Sequence, residues 1–403
     1  MSVIRKALVV FVVSLGALAS ARAAEAPFGT AAEFALIMDF ETGETLFEKN
    51  AQTPTAPASM SKLMTVAVVF EKLKSGELSL EDEFDVSKKA WRMKGSKMWV
   101  RVDTRIRLED LLRGVIIQSG NDACIVIAEN ISGSEDAFAD LMNAKARDWG
   151  LTGSSFANAS GWPHPDQKMS MRDLGMLARK IIRDYPEYYD LFSEAEFTWE
   201  KIRQANRNPL LGIVDGADGL KTGHTEESGY GVVGSAVKGD ARRIVVLNGL
   251  SSSRERALES RRMLTIAFND FAKKDFFAAG DIVGEAVVFG GKAKTVPLIL
   301  RDPVALLLHR SELDGVTTTL TYEGPVAAPI EAGGQIGLLR ATRPGGETRD
   351  YPLYAGRSVS EQGPLGKIKQ AAVKLLTKPD RSASAPTAEE DGEAASAPSA
   401  GAE

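Results

Sequence analysis

Ala58-Ser-Met-Ser-Lys-Leu-Met-Thr-Val-Ala-Val-Val-Phe70 is the stretch at which the chain changes its period. Before it, Phe34-Ala-Leu-Ile-Met-Asp39 and Thr45-Leu-Phe-Glu48 read as two strands around the turn Glu41-Thr42-Gly43. From Ala58 onward, Leu63, Val66, Ala67, Phe70 and Leu73 recur every three or four residues, and Lys74-Ser-Gly76 closes the run, so a buried helix is expected. More helical pattern fills Leu108–Ile117, Asp122–Ile131, Glu135–Trp149 and Met171–Arg183. The β pattern returns in Gly219–Gly223, Tyr230–Val237 and Arg243–Leu250, with Lys238-Gly-Asp240 as a hairpin turn, and a last helix is expected over Arg254–Phe271. Strands at both ends with helices between them predict one antiparallel sheet carrying helices on its faces, an α+β domain.

Past Lys274 the character changes. Ile282–Phe289, Lys294–Leu300, Val304–Leu308, Thr317–Tyr322 and Gln335–Ala341 are short β-rich runs separated by Gly, Pro and Asp, which predicts a separate small all-β domain over 276–357 after a first domain over 24–275. Over 358–378, Leu365, Ile368, Ala372, Leu375 and Leu376 gather on one helical side, with Lys367, Lys374 and Lys378 opposite. A short helix with a basic polar face fits a peripheral membrane contact through residues 365–378. Residues 379–403 are Ala, Ser, Pro and Glu without aromatics and read as disordered; Glu389, Glu390, Asp391 and Glu393 would be repelled by anionic lipid.

The N-terminus reads as an address. Arg5 and Lys6 precede the apolar run Ala7–Ala19, and Ala21-Arg-Ala23 supplies small residues at an A-x-A site, so residues 1–23 are expected to be a leader cleaved near Ala23–Ala24. The protein is therefore expected to be exported, to a periplasmic location. Losing Arg5, Lys6 and Arg22 takes the net charge from −5 to −8. The mixed charge over 403 residues argues against a nucleic-acid binder. A single cysteine, Cys124, excludes an intramolecular disulfide and a Cys-based zinc finger, and three scattered histidines (His164, His224, His309) offer no metal-ligand spacing. No cofactor is expected. Cys124 sits in the apolar run Ala123–Ile127 and reads as inert core.

Three short motifs carry the chemistry. Ser59-Met-Ser-Lys62 opens the first buried helix, Ser119-Gly-Asn121 sits between two helical runs, and Lys221-Thr-Gly223 lies on an expected strand. Each alone is common, but the S-x-x-K, S-x-N, K-T-G order is the signature shared by penicillin-binding proteins and class A β-lactamases. A serine at a helix start lies near the positive end of the dipole, and Lys62 three residues on shares its face. To accept a proton that lysine must be neutral part of the time, which burial and a second cation such as Lys221 promote. Ser119 is placed to relay a proton and Asn121 to position Lys62. Lys221 and Thr222 would face a substrate carboxylate, and Gly223 leaves room for an extended peptide. Backbone N–H groups of Ser59 and His224 are the natural oxyanion donors. Gly229-Tyr-Gly-Val-Val-Gly234 matches G-x-G-x-x-G, but a strand and hairpin follow where a dinucleotide site needs a helix.

With these residues in view, the sequence resembles the low-molecular-mass penicillin-binding proteins that are D-alanyl-D-alanine carboxypeptidases, the penicillin-binding protein 5/6 type, over roughly residues 30–378. Pro57–Thr65, Ser119–Ala123, Asn206-Arg-Asn208 and Asp218–Thr225 carry the likeness. The resemblance implies a serine β-lactamase/transpeptidase-like domain, with Ser59 as nucleophile, Lys62 as its base and Ser119 and Asn121 as the second catalytic element. It also implies Lys221, Thr222 and Gly223 as substrate strand, His224 completing the oxyanion hole, and an arginine for the terminal carboxylate: Arg256 by spacing, Arg254 as fallback. Substrates would be peptidoglycan stem peptides ending in D-Ala-D-Ala, with β-lactams as mimics. A DD-endopeptidase is chemically close. A class A β-lactamase would need a deacylating Glu that Thr152–Trp162 lacks, and a scaffold with a vestigial catalytic domain would not need these polar groups.

Overall fold

A computed structural model describes residues 7–13 and 28–363 of the chain. The strands β1 (Phe34–Asp39) and β2 (Thr45–Lys49) turn at Gly43, whose φ of 75° suits glycine. They join β3 (Ala217–Thr225), β4 (Gly229–Lys238) and β5 (Ala241–Leu250) in one antiparallel sheet of order β2-β1-β5-β4-β3. The β4–β5 hairpin turns on Gly239 (φ 60°), as the Lys238-Gly-Asp240 reading predicts.

Helices α1 (Lys62–Ser75), α2 (Leu108–Ile116), α3 (Asn121–Ser132), α4 (Glu135–Asp148) and α5 (Met171–Asp184) pack together on one side of that sheet. Leu63, Val66, Phe70, Leu111, Val126, Phe138 and Leu177 are fully buried in this core, and each such side chain contributes about 1.5–3 kcal/mol by leaving water. Helix α6 (Ser253–Asn269) covers the other face with Met263, Leu264 and Ala267 against Ile37, Val232 and Leu247. Serine caps start α4, α5 and α6: Ser134, Ser170 and Ser252 accept from the amide three residues on. The expected domain, an antiparallel sheet flanked by helices, is the one observed.

Two boundaries differ from expectation. The first turn, Ala58–Ser61, is a tight 3₁₀ turn and α-geometry begins only at Lys62. The last helix ends at Asn269, and Phe271–Phe277 is already a strand paired with Val304–His309. The expected division at 275/276 thus falls inside a strand of the second unit. Lys273, Lys274 and Asp275 look like a break in composition, yet Phe271 is buried and stacks edge-on to His309 at 5.5 Å.

The C-terminal unit is all β, with its own core of Val288, Leu298, Leu306, Leu320, Leu339 and Leu353. Its larger sheet includes Ile282–Phe289, Thr295–Leu300, Thr317–Gly324, Gln335–Thr342 and Thr348–Ala355. Ala7–Val13, inside the expected leader, pairs antiparallel with Thr318–Gly324 at the edge of this sheet. The expected amphipathic segment (358–378) is described only to residue 363, where it is not helical: Val359 and Glu361 form isolated antiparallel bridges to Ile330 and Gly291. The rest of it and the tail lie outside the described residues. No helix among the described residues is long and apolar enough to cross a membrane.

Candidate active site

The three motifs, spread over 165 positions of sequence from Ser59 to Gly223, meet where the start of α1, the start of α3 and the strand β3 converge. Two glycines permit the convergence. A Cβ on Gly223 would lie 2.8 Å from the Pro57 carbonyl oxygen, and one on Gly161 only 2.0 Å from that of Ala58. The side-chain space at Gly223 is therefore filled by the Ser59 turn, and the bare α-carbon lets the strand close on that turn.

Lys62 is completely buried. Its Nζ stands 2.8 Å from Ser59 Oγ and 2.7 Å from Asn121 Oδ1, and it also donates to the Ser160 carbonyl. Asn121 donates its own Nδ2 to the Lys94 carbonyl (2.9 Å), which fixes the amide so that Oδ1 faces the lysine. Two of the three partners are thus acceptors only. A neutral amine has two N–H bonds and one lone pair, so both hydrogens are taken by Oδ1 and the carbonyl and the lone pair faces the one partner that owns a proton, the Ser59 hydroxyl. Burial is the main reason the lysine pKa falls to about 8, with the Arg207 charge adding to it and Cys124 and Asp122 opposing.

Lys221 Nζ donates to Ser119 Oγ at 2.9 Å and to the Thr222 carbonyl at 3.2 Å. Burial first, then the charges of Lys62 and Arg207, hold this lysine well below its ordinary range. Ser119 adopts a left-handed φ of 59°, uncommon for a non-glycine residue, which presents its hydroxyl between helices α2 and α3. Strand alternation sends Lys221 and Gly223 toward the helical core and Thr222 and His224 toward α6. There Arg256 places Nη1 3.5 Å from the Gly223 carbonyl, and its buried Nε has no partner among the described residues. The fallback, Arg254, is exposed at the first turn of α6. The His224 imidazole lies 3.9 Å, centroid to centroid, from the Tyr230 ring. Ser59, Asn121 and His224 line one cleft of about 710 Å³ with Gly95, Ser96, Trp162 and Glu226.

Four contributors lie outside the S-x-x-K, S-x-N and K-T-G residues, although Asp122 and Arg207 fall in stretches that carry the family likeness. The Ser160 carbonyl reaches Lys62 from 98 positions away, set by Asn158, whose Oδ1 accepts from the amides of Ser160 (3.1 Å), Gly161 (2.8 Å) and Trp162 (3.0 Å). Asp122 is buried and accepts from Met98, Trp99 and Val100 at 2.8, 2.9 and 3.2 Å, pinning the cleft wall against α3. Arg207 donates to Ser96 Oγ at 2.6 Å. Asn158-Ala-Ser-Gly161 is readable as a turn, but nothing local couples a turn carbonyl to a distant amine. Cys124 is buried and its thiol is pushed up to about 12, chiefly by burial. Gly229–Gly234 continues along β4 with no helix after it. Among the described residues no group of three or more His, Cys, Asp or Glu could hold a metal ion.

Residues 20–251 match the D-alanyl-D-alanine carboxypeptidase family, and residues 271–361 match the C-terminal domain of penicillin-binding protein 5. D-alanyl-D-alanine carboxypeptidase DacC of Escherichia coli (strain K12) is 36% identical over 365 residues, 87% of this chain and 90% of its own length. DacF of Bacillus subtilis (strain 168) is 30% identical over 84% of this chain and 88% of its own. Among solved structures, DacD of Francisella tularensis superposes with a TM-score of 0.74 at 28% identity, covering 84% of this chain and 95% of that one. Penicillin-binding protein 5 of Haemophilus influenzae gives 0.68 at 32% identity over 84% and 100%. The chain belongs to the serine-type D-alanyl-D-alanine carboxypeptidases, the penicillin-binding protein 5/6 family.

Proposed function

We propose that the protein is a periplasmic serine DD-carboxypeptidase that removes the terminal D-alanine from peptidoglycan stem pentapeptides through an acyl-enzyme, and that β-lactams acylate the same serine. The observation that carries this reading is the Lys62 amine, buried and flanked by two pure acceptors, with Ser59 Oγ at 2.8 Å. Ser59 Oγ attacks the penultimate D-Ala carbonyl as its proton passes to neutral Lys62, and the oxyanion forms beside the Ser59 and His224 amides. Ser119, held by Lys221, gives its proton to the leaving D-Ala amine and takes back the one Lys62 accepted, so that both groups return to their starting state. Thr222 and Arg256 hold the terminal carboxylate, while Lys221, on the opposite face of the strand, stays on Ser119. Water then attacks the ester and releases the shortened peptide.

The leader reading of residues 1–23 and the peripheral membrane contact through 365–378 belong to the same proposal: an exported enzyme meets its substrate outside the cytoplasmic membrane. The endopeptidase reading has less support. A D-alanyl-D-alanine endopeptidase of Pseudomonas aeruginosa matches only 49% of this chain, at 29% identity. A free β-lactamase has no use for the second domain, and its deacylating Glu is missing from Thr152–Trp162. The deciding experiment is mass spectrometry of the purified protein with benzylpenicillin, alongside D-Ala release from a pentapeptide ending in D-Ala-D-Ala. One covalent adduct on Ser59, and release abolished in Ser59→Ala, are expected. Labelling that persists in Ser59→Ala, or cleavage of cross-linked dimers without D-Ala release, overturns the proposal.

A further inference from the structure

Tyr230 pairs directly with His224 across the β3–β4 ladder, so both side chains stand on the α6 face of the sheet. Its ring carries two neighbours at once. The His224 imidazole stacks on it at 3.9 Å with planes 30° apart, and the Arg256 guanidinium carbon lies 5.6 Å from its centroid. That separation is within the reach of a cation–π interaction. Arg256 is otherwise poorly tethered. Its one direct contact with the cleft strand is the long 3.5 Å bond to the Gly223 carbonyl, no carboxylate pairs with it among the described residues, and its buried Nε is unpartnered. An arginine side chain has several free torsions, and something must hold the fork in place for a carboxylate to find it preorganised.

We propose that Tyr230 is a positioning residue, whose π face, itself clamped by His224, holds the Arg256 guanidinium beside the Lys221–Gly223 strand for the free carboxylate of the departing residue. This rests on the carboxypeptidase reading and assigns to one ring the discrimination between a substrate with a terminal acid and one whose terminus is blocked. A phenyl ring supplies the same face, so the hydroxyl is dispensable. An aliphatic side chain of similar bulk fills the space without the quadrupole.

The test compares kcat/KM on two peptides, one ending in D-Ala-D-Ala with a free carboxylate and one ending in D-Ala-D-Ala-amide, for the full chain and for Tyr230→Phe, Tyr230→Leu, Tyr230→Ala and Arg256→Ala. Tyr230→Leu and Tyr230→Ala are expected to lose about tenfold on the acid, chiefly through KM, and less than about threefold on the amide. Tyr230→Phe restores the acid preference, and Tyr230→Ala combined with Arg256→Ala is no worse on the acid than Arg256→Ala alone. Equal losses on both peptides, or a Phe variant as poor as Leu, overturn the proposal. Should Arg256→Ala itself leave the acid-to-amide ratio unchanged, the carboxylate role of Arg256 fails and Tyr230 falls with it, while D-Ala release by the unaltered protein still reports separately on the enzyme's reaction.

Discussion

Lys62 sets the pH behaviour of the molecule. An amine that titrates near 8 is mostly protonated at pH 7 and mostly neutral at pH 9. In the proposed reaction the neutral form takes the Ser59 proton, so kcat/KM should rise through an apparent midpoint near 8, measured as stopped-flow acylation by a fluorescent penicillin. Lys62→Arg keeps a cation whose pKa stays far above this range, so acylation should fall by about 10³-fold or more with no recovery at high pH. Asn158 offers a subtler check at this scale. Replacing it by Ala frees three amides and the turn that aims the Ser160 carbonyl, so one of the two acceptors that orient the Lys62 lone pair loosens. A loss of about 10–100-fold in kcat is expected, with the protein still folded by circular dichroism.

The elements meet through glycine and through one buried carboxylate. Gly223→Ala would drive a methyl to 2.8 Å from the Pro57 carbonyl, and either the β3 strand or the Ser59 turn must retreat. Acylation should slow about 10²-fold, measured with the same penicillin probe. Asp122 ties the cleft wall to α3 by three amides, so Asp122→Asn turns one acceptor into a donor facing an N–H and should cost about 1–3 kcal/mol in urea melts. Much of this scale was legible in advance. The helical period from Leu63 to Leu73, the apolar runs of β4 and β5 and the three motifs are all readable, because periodicity, apolar runs and short motifs are local properties. The first turn was misjudged because Ala58 takes a left-handed φ of 48° to meet Gly161, 103 positions away, and no local rule anticipates that. At Gly223 the missing side chain shows in the sequence, but the Ser59 turn that fills its place does not. Ser160 acts through its carbonyl, which every residue possesses, so its type carried no signal.

At the scale of the whole molecule, Phe271 joins the two units. Its ring meets Phe28 at 6.3 Å and His309 at 5.5 Å, while Phe28 stacks on Phe47 of β2 at 4.6 Å. Glu44, at the other end of the same hairpin, pairs with Arg349 at 2.7 Å and Arg343 at 3.5 Å. Phe271→Ala removes a buried ring worth about 3–5 kcal/mol and should split one calorimetric transition into two. Glu44→Ala, at a partly solvated ion pair, should cost no more than about 1 kcal/mol.

Lys62, Lys221, Arg207 and Arg256 lie within electrostatic reach of one another, and buried Asp122, which acts on Lys62, is committed to amide hydrogens. The two arginines keep their charge, so on a chain whose overall balance is −5 the ground beside the Gly223 carbonyl, which Arg256 reaches, is an anion lure. Buffers are then not innocent bystanders: inorganic phosphate or sulfate should occupy the place meant for the peptide's end and compete with it, so kinetics recorded in such salts would understate how avidly the empty enzyme waits.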